Sequence, residues 1–325
     1  MLNYIIGPVL FVVLIYAIYS KIKNQPGLPE KIAVIRSSFS PANAGLIIVL
    51  FLLMFLNWGI ESRKWQLLVK PVQQVNFFTA FKAVLSGLSL SLFVPNGIGE
   101  YFGRIVYMDE GNRLRSVSLT IIGSISQLII TLFCGLVALI YLRNYSWQSA
   151  QQIQGLSVFW LNSIVSMIAM GLVLLLLLYF KMGWIANLMD KVPFIHKYRY
   201  LTEHVETFHW KELTRILLLS AMRFVVFVAQ YILMLHLFHV QMNLPGAIST
   251  TCVLFLVLAI IPTIPLADIG VRGQAGVQLF GLLTANTVGI IATTFGIWFL
   301  NLILPSVAGS LFILGIKIFK KQQDK

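Results

Sequence analysis

Apolar runs of about 17 to 25 residues recur along nearly the whole chain, among them "LNYIIGPVLFVVLIYAIYS" and "RILLLSAMRFVVFVAQYILMLHLFHV". No other feature constrains the fold as strongly. As a helix rising 1.5 Å per residue, each run is long enough to cross a hydrocarbon core of roughly 30 Å. Within that core every backbone N–H and C=O must be bonded inside the protein, which leaves helices and closed barrels, and runs of this length select helices. The predicted fold class is therefore all-α: a polytopic helical membrane protein with about eight transmembrane helices plus two broken or re-entrant segments. It reads as one transmembrane domain over 1–325, in two halves of about 1–145 and 146–325.

Crossings are expected at about 2–19, 42–60, 77–94, 117–141, 158–180, 216–240, 248–264 and 287–316. Two pieces, about 96–108 and 267–285, do not fit as simple spans, and the second reads either as a short crossing or as a re-entrant hairpin. Residues 182–213 are charged and aromatic, with Leu201, Val205 and Phe208 at helical spacing. They suit either a cytoplasmic helix lying on the membrane surface or an ordinary connecting helix.

Charge bears on orientation. The chain is 58% hydrophobic and 11% charged, yet its net charge is +13. In a membrane protein such an excess collects in cytoplasmic loops, so nucleic acid is not an expected partner. Of the 24 basic residues, this map puts Arg63, Lys64, Lys70 and Arg143 outside and Lys82, Arg223 and Arg272 at membrane depth, leaving the other 17 inside. The expectation is an integral protein of a bacterial-type plasma (inner) membrane, N-terminus outside and C-terminus cytoplasmic. The loop bearing Arg63, Lys64 and Lys70 is the piece that fits this scheme least well.

Ionisable side chains at membrane depth are costly unless paired or hydrated, so each marks a functional candidate. Lys82 stands one turn into its helix, where it either lines a cavity or snorkels to the interface. Arg223 lies on a stripe with Gln230 and His236 that serves equally as helix–helix glue. The stretch "SLSLFVPNGIGEYFGR", residues 89–104, differs in kind. Pro95, Gly97 and Gly99 interrupt a greasy helix, and a new helix carries Glu100 and Arg104 four apart on one face. In "IPTIPLADIGVRGQAG", residues 261–276, Pro262 and Pro265 end an apolar run, and Asp268, Gly270 and Arg272 follow with the same acid-to-arginine spacing. Paired breaks in two halves suit a transporter with its substrate site at mid-membrane; two loops just outside the bilayer are the plainer reading.

No hydrolytic or group-transfer centre is legible. There is no HExxH, Walker A or GxGxxG motif, and Cys134 and Cys252 lack ligand spacing. His236 and His239 at i, i+3 form only a weak metal pattern. No catalytic residue, metal or cofactor is expected.

The stretches "LNWGIESRKWQLLVKPV", "SLSLFVPNGIGEYFGR" and "IPTIPLADIGVRGQAG" together resemble the flippase-like membrane family named for the membrane region of lysylphosphatidylglycerol synthase. The resemblance implies a helical domain that moves lipids or lipid-linked intermediates between leaflets. It points to Pro95, Gly99, Glu100 and Arg104, to Pro265, Gly270 and Arg272, and to Arg63 with Trp65. It also implies that synthase activity is absent here, since only "KIFKKQQDK" follows the last run. The expected substrate-binding set is Glu100, Arg104, Asp268, Arg272, Arg223, Lys82 and Arg63, and the expected partner is an anionic phospholipid or a polyprenyl-phosphate-linked lipid. Two rival readings are a non-catalytic subunit presenting lipid to a separate lipid-modifying transferase and an ion-coupled small-solute transporter.

Overall fold

A computed structural model describes residues 36–92, 98–146, 158–181, 208–261 and 265–314, with residues 29 and 33. Among these there is no strand. The helices are α1 (Ala44–Val69), α2 (Phe77–Ser91), α3 (Ile98–Ile105), α4 (Arg113–Tyr141), α5 (Val158–Phe180), α6 (Trp210–Leu237), α7 (Leu244–Ile260), α8 (Pro265–Phe280), α9 (Thr287–Trp298) and α10 (Leu304–Leu314). A π-helical turn, Phe299–Ile303, joins α9 to α10. The segments Pro41–Val69, Glu110–Asn144, Phe159–Phe180, Trp210–Leu237 and Thr287–Ile313 are long and apolar enough to cross a membrane. The run at 2–19, and residues 182–207 of the expected interfacial segment, lie outside the described residues.

Local chemistry sets the helix ends. Asn76, Asn243 and Asn286 each accept a hydrogen bond from a first-turn backbone N–H, at 2.7, 3.0 and 3.1 Å, and so start α2, α7 and α9. Helix α1 runs on to Val69, just before Pro71, nine residues past the expected end at 60, because Ile60–Val69 remain good helix formers.

The larger correction concerns 77–94, expected as a crossing. Helix α2 has 15 residues, about 22 Å, too short for a core of roughly 30 Å. Helix α3 returns along it: the backbone at Gly99 meets that of Leu90, and the backbone at Gly103, one turn later, meets Gly87, one turn earlier. Side chains at Gly99 and Gly103 would overlap this neighbouring backbone, so glycine is what lets the two helices touch. The chain thus comes back to the face it left, where Gln73 Oε1 accepts from Asp109 N–H at 3.0 Å. The same face carries the ends of α5 and α6, joined by a Tyr179 hydroxyl that donates to Leu213 O at 3.0 Å.

Helices α7 and α8 make a second hairpin. It begins and ends at the opposite face, where Asn286 Nδ2 donates to His239 O and Phe39 packs on Phe238. Residues 267–285 therefore form the returning arm of a re-entrant hairpin.

The architecture is an inverted repeat. In the first unit α1 crosses, α2–α3 dips in and returns, and α4 crosses back. In the second unit α6, α7–α8 and α9–α10 do the same from the other side. The packing follows the symmetry: α1 lies against α6, α2 against α10, and α7 against α4. Two hydrophobic clusters result, each drawing residues from both units; one contains Trp65, Val84, Tyr231 and Phe280, the other Leu119, Ile129, Tyr179 and Ile216. The face that carries 70–76 also holds Lys70, Arg113, Lys181 and Lys211 and is called the basic face below.

A buried charge cluster beside a central cavity

Asn57, Glu61 and Lys64 stand at i, i+4 and i+7 and share one face of α1. Glu61 is the centre of the cluster. Its Oε2 pairs with Lys64 Nζ at 2.8 Å and with Arg223 Nη1 of α6 at 3.1 Å. Its Oε1 pairs with Arg104 Nη2 of α3 at 3.0 Å. The same Arg104 nitrogen also pairs with Glu100 one turn earlier in α3. Counted from the basic-face ends of α1 and α6, Lys64, Glu61 and Arg223 sit about 8, 12 and 20 Å along the helices, so the cluster reaches membrane depth.

Each cation has a polar setting of its own. Lys64 Nζ also donates to Gly123 O at 3.3 Å and to Ser220 Oγ at 3.4 Å, and the Ser220 hydroxyl shares a hydrogen bond with Ser126. Arg223 Nε donates to Asn57 Oδ1 at 2.8 Å, while Asn57 Nδ2 donates to Asn301 Oδ1 in the π turn at 3.3 Å. Trp65, beside the cluster, donates from Nε1 to Thr120 Oγ1 at 3.1 Å and fixes α1 against α4. Buried ions are tolerated only when paired and hydrogen-bonded in this way. Three cations and two carboxylates leave the cluster with one net positive charge.

A cavity of about 310 Å³ adjoins it, lined by Trp58, Leu88, Phe227, Leu258, Arg272 and Asn301 among others. Leu88 lies near the tip of the α2–α3 hairpin and Leu258 near the tip of α7–α8, so the two hairpins face each other across one cavity. The Arg223 guanidinium lies 5.1 Å from the Trp58 ring and 5.2 Å from that of Phe227, both in the cavity wall. The buried nitrogens Trp58 Nε1 and Trp298 Nε1 in this wall have no hydrogen-bond partner among the described residues. A second cavity, of about 460 Å³, is wholly apolar in its lining, with Phe51, Met234, Phe295 and Phe299 among its residues.

The structure brings Glu100, Arg104 and Arg223 together through Glu61, and places Arg272 in the wall of the adjoining cavity. Glu61 and Lys64, absent from the sequence-derived set, complete the cluster. The other expected residues fall elsewhere. Arg63 points to the exposed side of α1 and bonds Gln66. Lys82 is exposed and sits 5.9 Å from the Phe312 ring. Pro265 is the first residue of α8 and Gly270 is buried within it. Asp268 lies on α8 four residues before Arg272, but its side chain, like residues Pro95, Gly97 and Pro262, is outside the described set. Among the described residues no group of histidine, cysteine and carboxylate side chains has the makings of a metal site.

Long apolar helices, re-entrant hairpins and a paired buried charge cluster define an integral membrane protein. Within that class, the chain belongs to the family of the lysylphosphatidylglycerol synthase transmembrane region, whose model matches residues 4–309. That family is linked to lipid handling. No curated protein and no solved structure matches the chain.

Proposed function

We infer that this protein moves a phospholipid or lipid-linked intermediate between leaflets, holding the phosphate of its head group in the central cavity. The observation that carries this reading is a net-positive cluster at membrane depth beside a cavity lined by both hairpins. Arg272 lines the cavity, and Arg223, packed behind the Trp58 and Phe227 rings of its wall, offers the phosphate a planar donor fork one layer back. Arg104 is set further back and holds Glu61 and Glu100 in place. The wholly apolar second cavity suits a hydrocarbon chain. Inverted repeats with re-entrant segments suit alternating access, in which one unit rocks against the other around a fixed site.

The basic face is cytoplasmic on this reading, because Lys and Arg collect there. Lys70 then lies inside and residues 36–43 outside, the reverse of what the hydropathy map gives for those two stretches, whereas Arg113, Lys181 and Lys211 keep the side that the map gives them. The chain acts as a transporter, and the lipid leaves unchanged.

The test is reconstitution of the purified protein in liposomes, with leaflet accessibility of labelled lipids followed over time. Phosphatidylglycerol is expected to equilibrate faster than in protein-free vesicles, and Arg223→Ala to remove most of that gain. Rates equal to those of protein-free vesicles would refute the reading.

A further inference from the structure

The cluster already contains an anion. Three cations from α1, α3 and α6 converge on the two oxygens of Glu61, an arrangement that would equally suit a phosphate. The three are not equivalent. Lys64 and Arg104 side chains are 2% exposed, while that of Arg223 is 14% exposed and packs directly behind the Trp58 and Phe227 rings of the cavity wall. Arg223 commits Nη1 to Glu61 and Nε to Asn57, and its Nη2 bonds to no described residue. Arg104 Nε, fully buried, is likewise without a hydrogen-bond partner among the described residues.

We propose that Glu61 is an internal counter-anion: a lipid phosphate entering the cavity displaces its carboxylate from Arg223, and the return of the carboxylate releases the phosphate. The proposal rests on the lipid reading given above. Exchange of one anion for another keeps Arg223 paired at every stage, which avoids a bare buried charge. Lys64 and Arg104 hold the carboxylate from the other side, so it stays paired when Arg223 turns away. A single phosphodiester charge brings these five side chains from +1 to neutrality.

The experiment is calorimetric titration of short-chain phosphatidylglycerol onto the full chain in detergent, alongside the leaflet assay. Two variants are compared with wild type: Glu61→Gln, and Glu61→Gln combined with Lys64→Met. The double variant keeps the net charge at +1, since Arg104 and Arg223 then face Glu100 alone. With the competitor gone, both variants are expected to bind roughly tenfold tighter and to exchange lipid correspondingly more slowly. If affinity instead follows net charge, the double variant binds like wild type, and displacement is refuted. Should the single variant fail to fold, the charge-balanced double variant decides the matter alone. A wild type that binds and moves lipid beside a double variant that binds no tighter overturns the exchange mechanism and leaves the lipid reading standing. A wild type that neither binds nor moves it overturns both.

Discussion

At the scale of single residues, Arg104 joins two carboxylates on different helices. One of its nitrogens serves two carboxylates, Glu61 of α1 and Glu100 of α3, so it ties the first hairpin to the cluster. Arg104→Met leaves Glu100 unpaired and Glu61 short of one partner; a loss of about 3 to 5 kcal/mol is expected for a broken buried pair, read as a lowered Tm in detergent. Arg104→Lys should recover only part of it, because a lysine presents a point charge in place of a planar fork. By contrast, Arg63→Ala and Lys82→Ala should change stability by less than about 0.5 kcal/mol, since both side chains are exposed and outside the cluster. Glu100, Arg104 and Arg272 were legible from the repeated acid-to-arginine spacing at Pro/Gly breaks. Glu61 and Lys64 were not, because a charged stretch after an apolar run reads as a loop. The available signal was the i, i+4, i+7 spacing of Asn57, Glu61 and Lys64, which makes sense only once α1 is continued to Val69.

At the scale of elements, hydropathy marks α2 as a crossing because a re-entrant helix and a spanning helix bury the same kind of side chain. What separates them is the length of α2 and the glycine contacts that bring α3 back along it. Gly103→Leu is therefore expected to push α3 away from Gly87 and to pull Arg104 off Glu61. It should lower the Tm and speed proteolysis after Arg113, where a conservative exchange at an exposed helix position would do neither. Asn243→Ala, which removes the cap of α7, should cost about 1 kcal/mol. Of the two, only Gly103→Leu disturbs the charge cluster directly, so on the proposed lipid-transport reading only it should also abolish lipid exchange.

At the scale of the molecule, the paired breaks were visible in sequence, but the opposite orientation of the two hairpins was not. The orientation of each hairpin depends on contacts such as Gln73 with Asp109 and Asn286 with His239, which join residues far apart in the chain. A topology test follows. In a background lacking Cys134 and Cys252, Gln73→Cys and Asp109→Cys should react with a membrane-impermeant thiol reagent from one side of the membrane. His239→Cys and Asn286→Cys should react only from the other. Labelling of Gln73→Cys and Asp109→Cys from opposite sides would restore α2 as a crossing and undo the inverted repeat. Helix α5 gains its meaning at this scale too. It packs on α4 and lightly on α6 and lines neither cavity. Its contribution is parity: each unit makes two crossings and leaves the chain on the side where it began, so a single added crossing is what turns the second unit upside down. Deleting α5 would change the lining of neither cavity, yet it would set both units the same way up, with both hairpins entering the membrane from one side and none from the other.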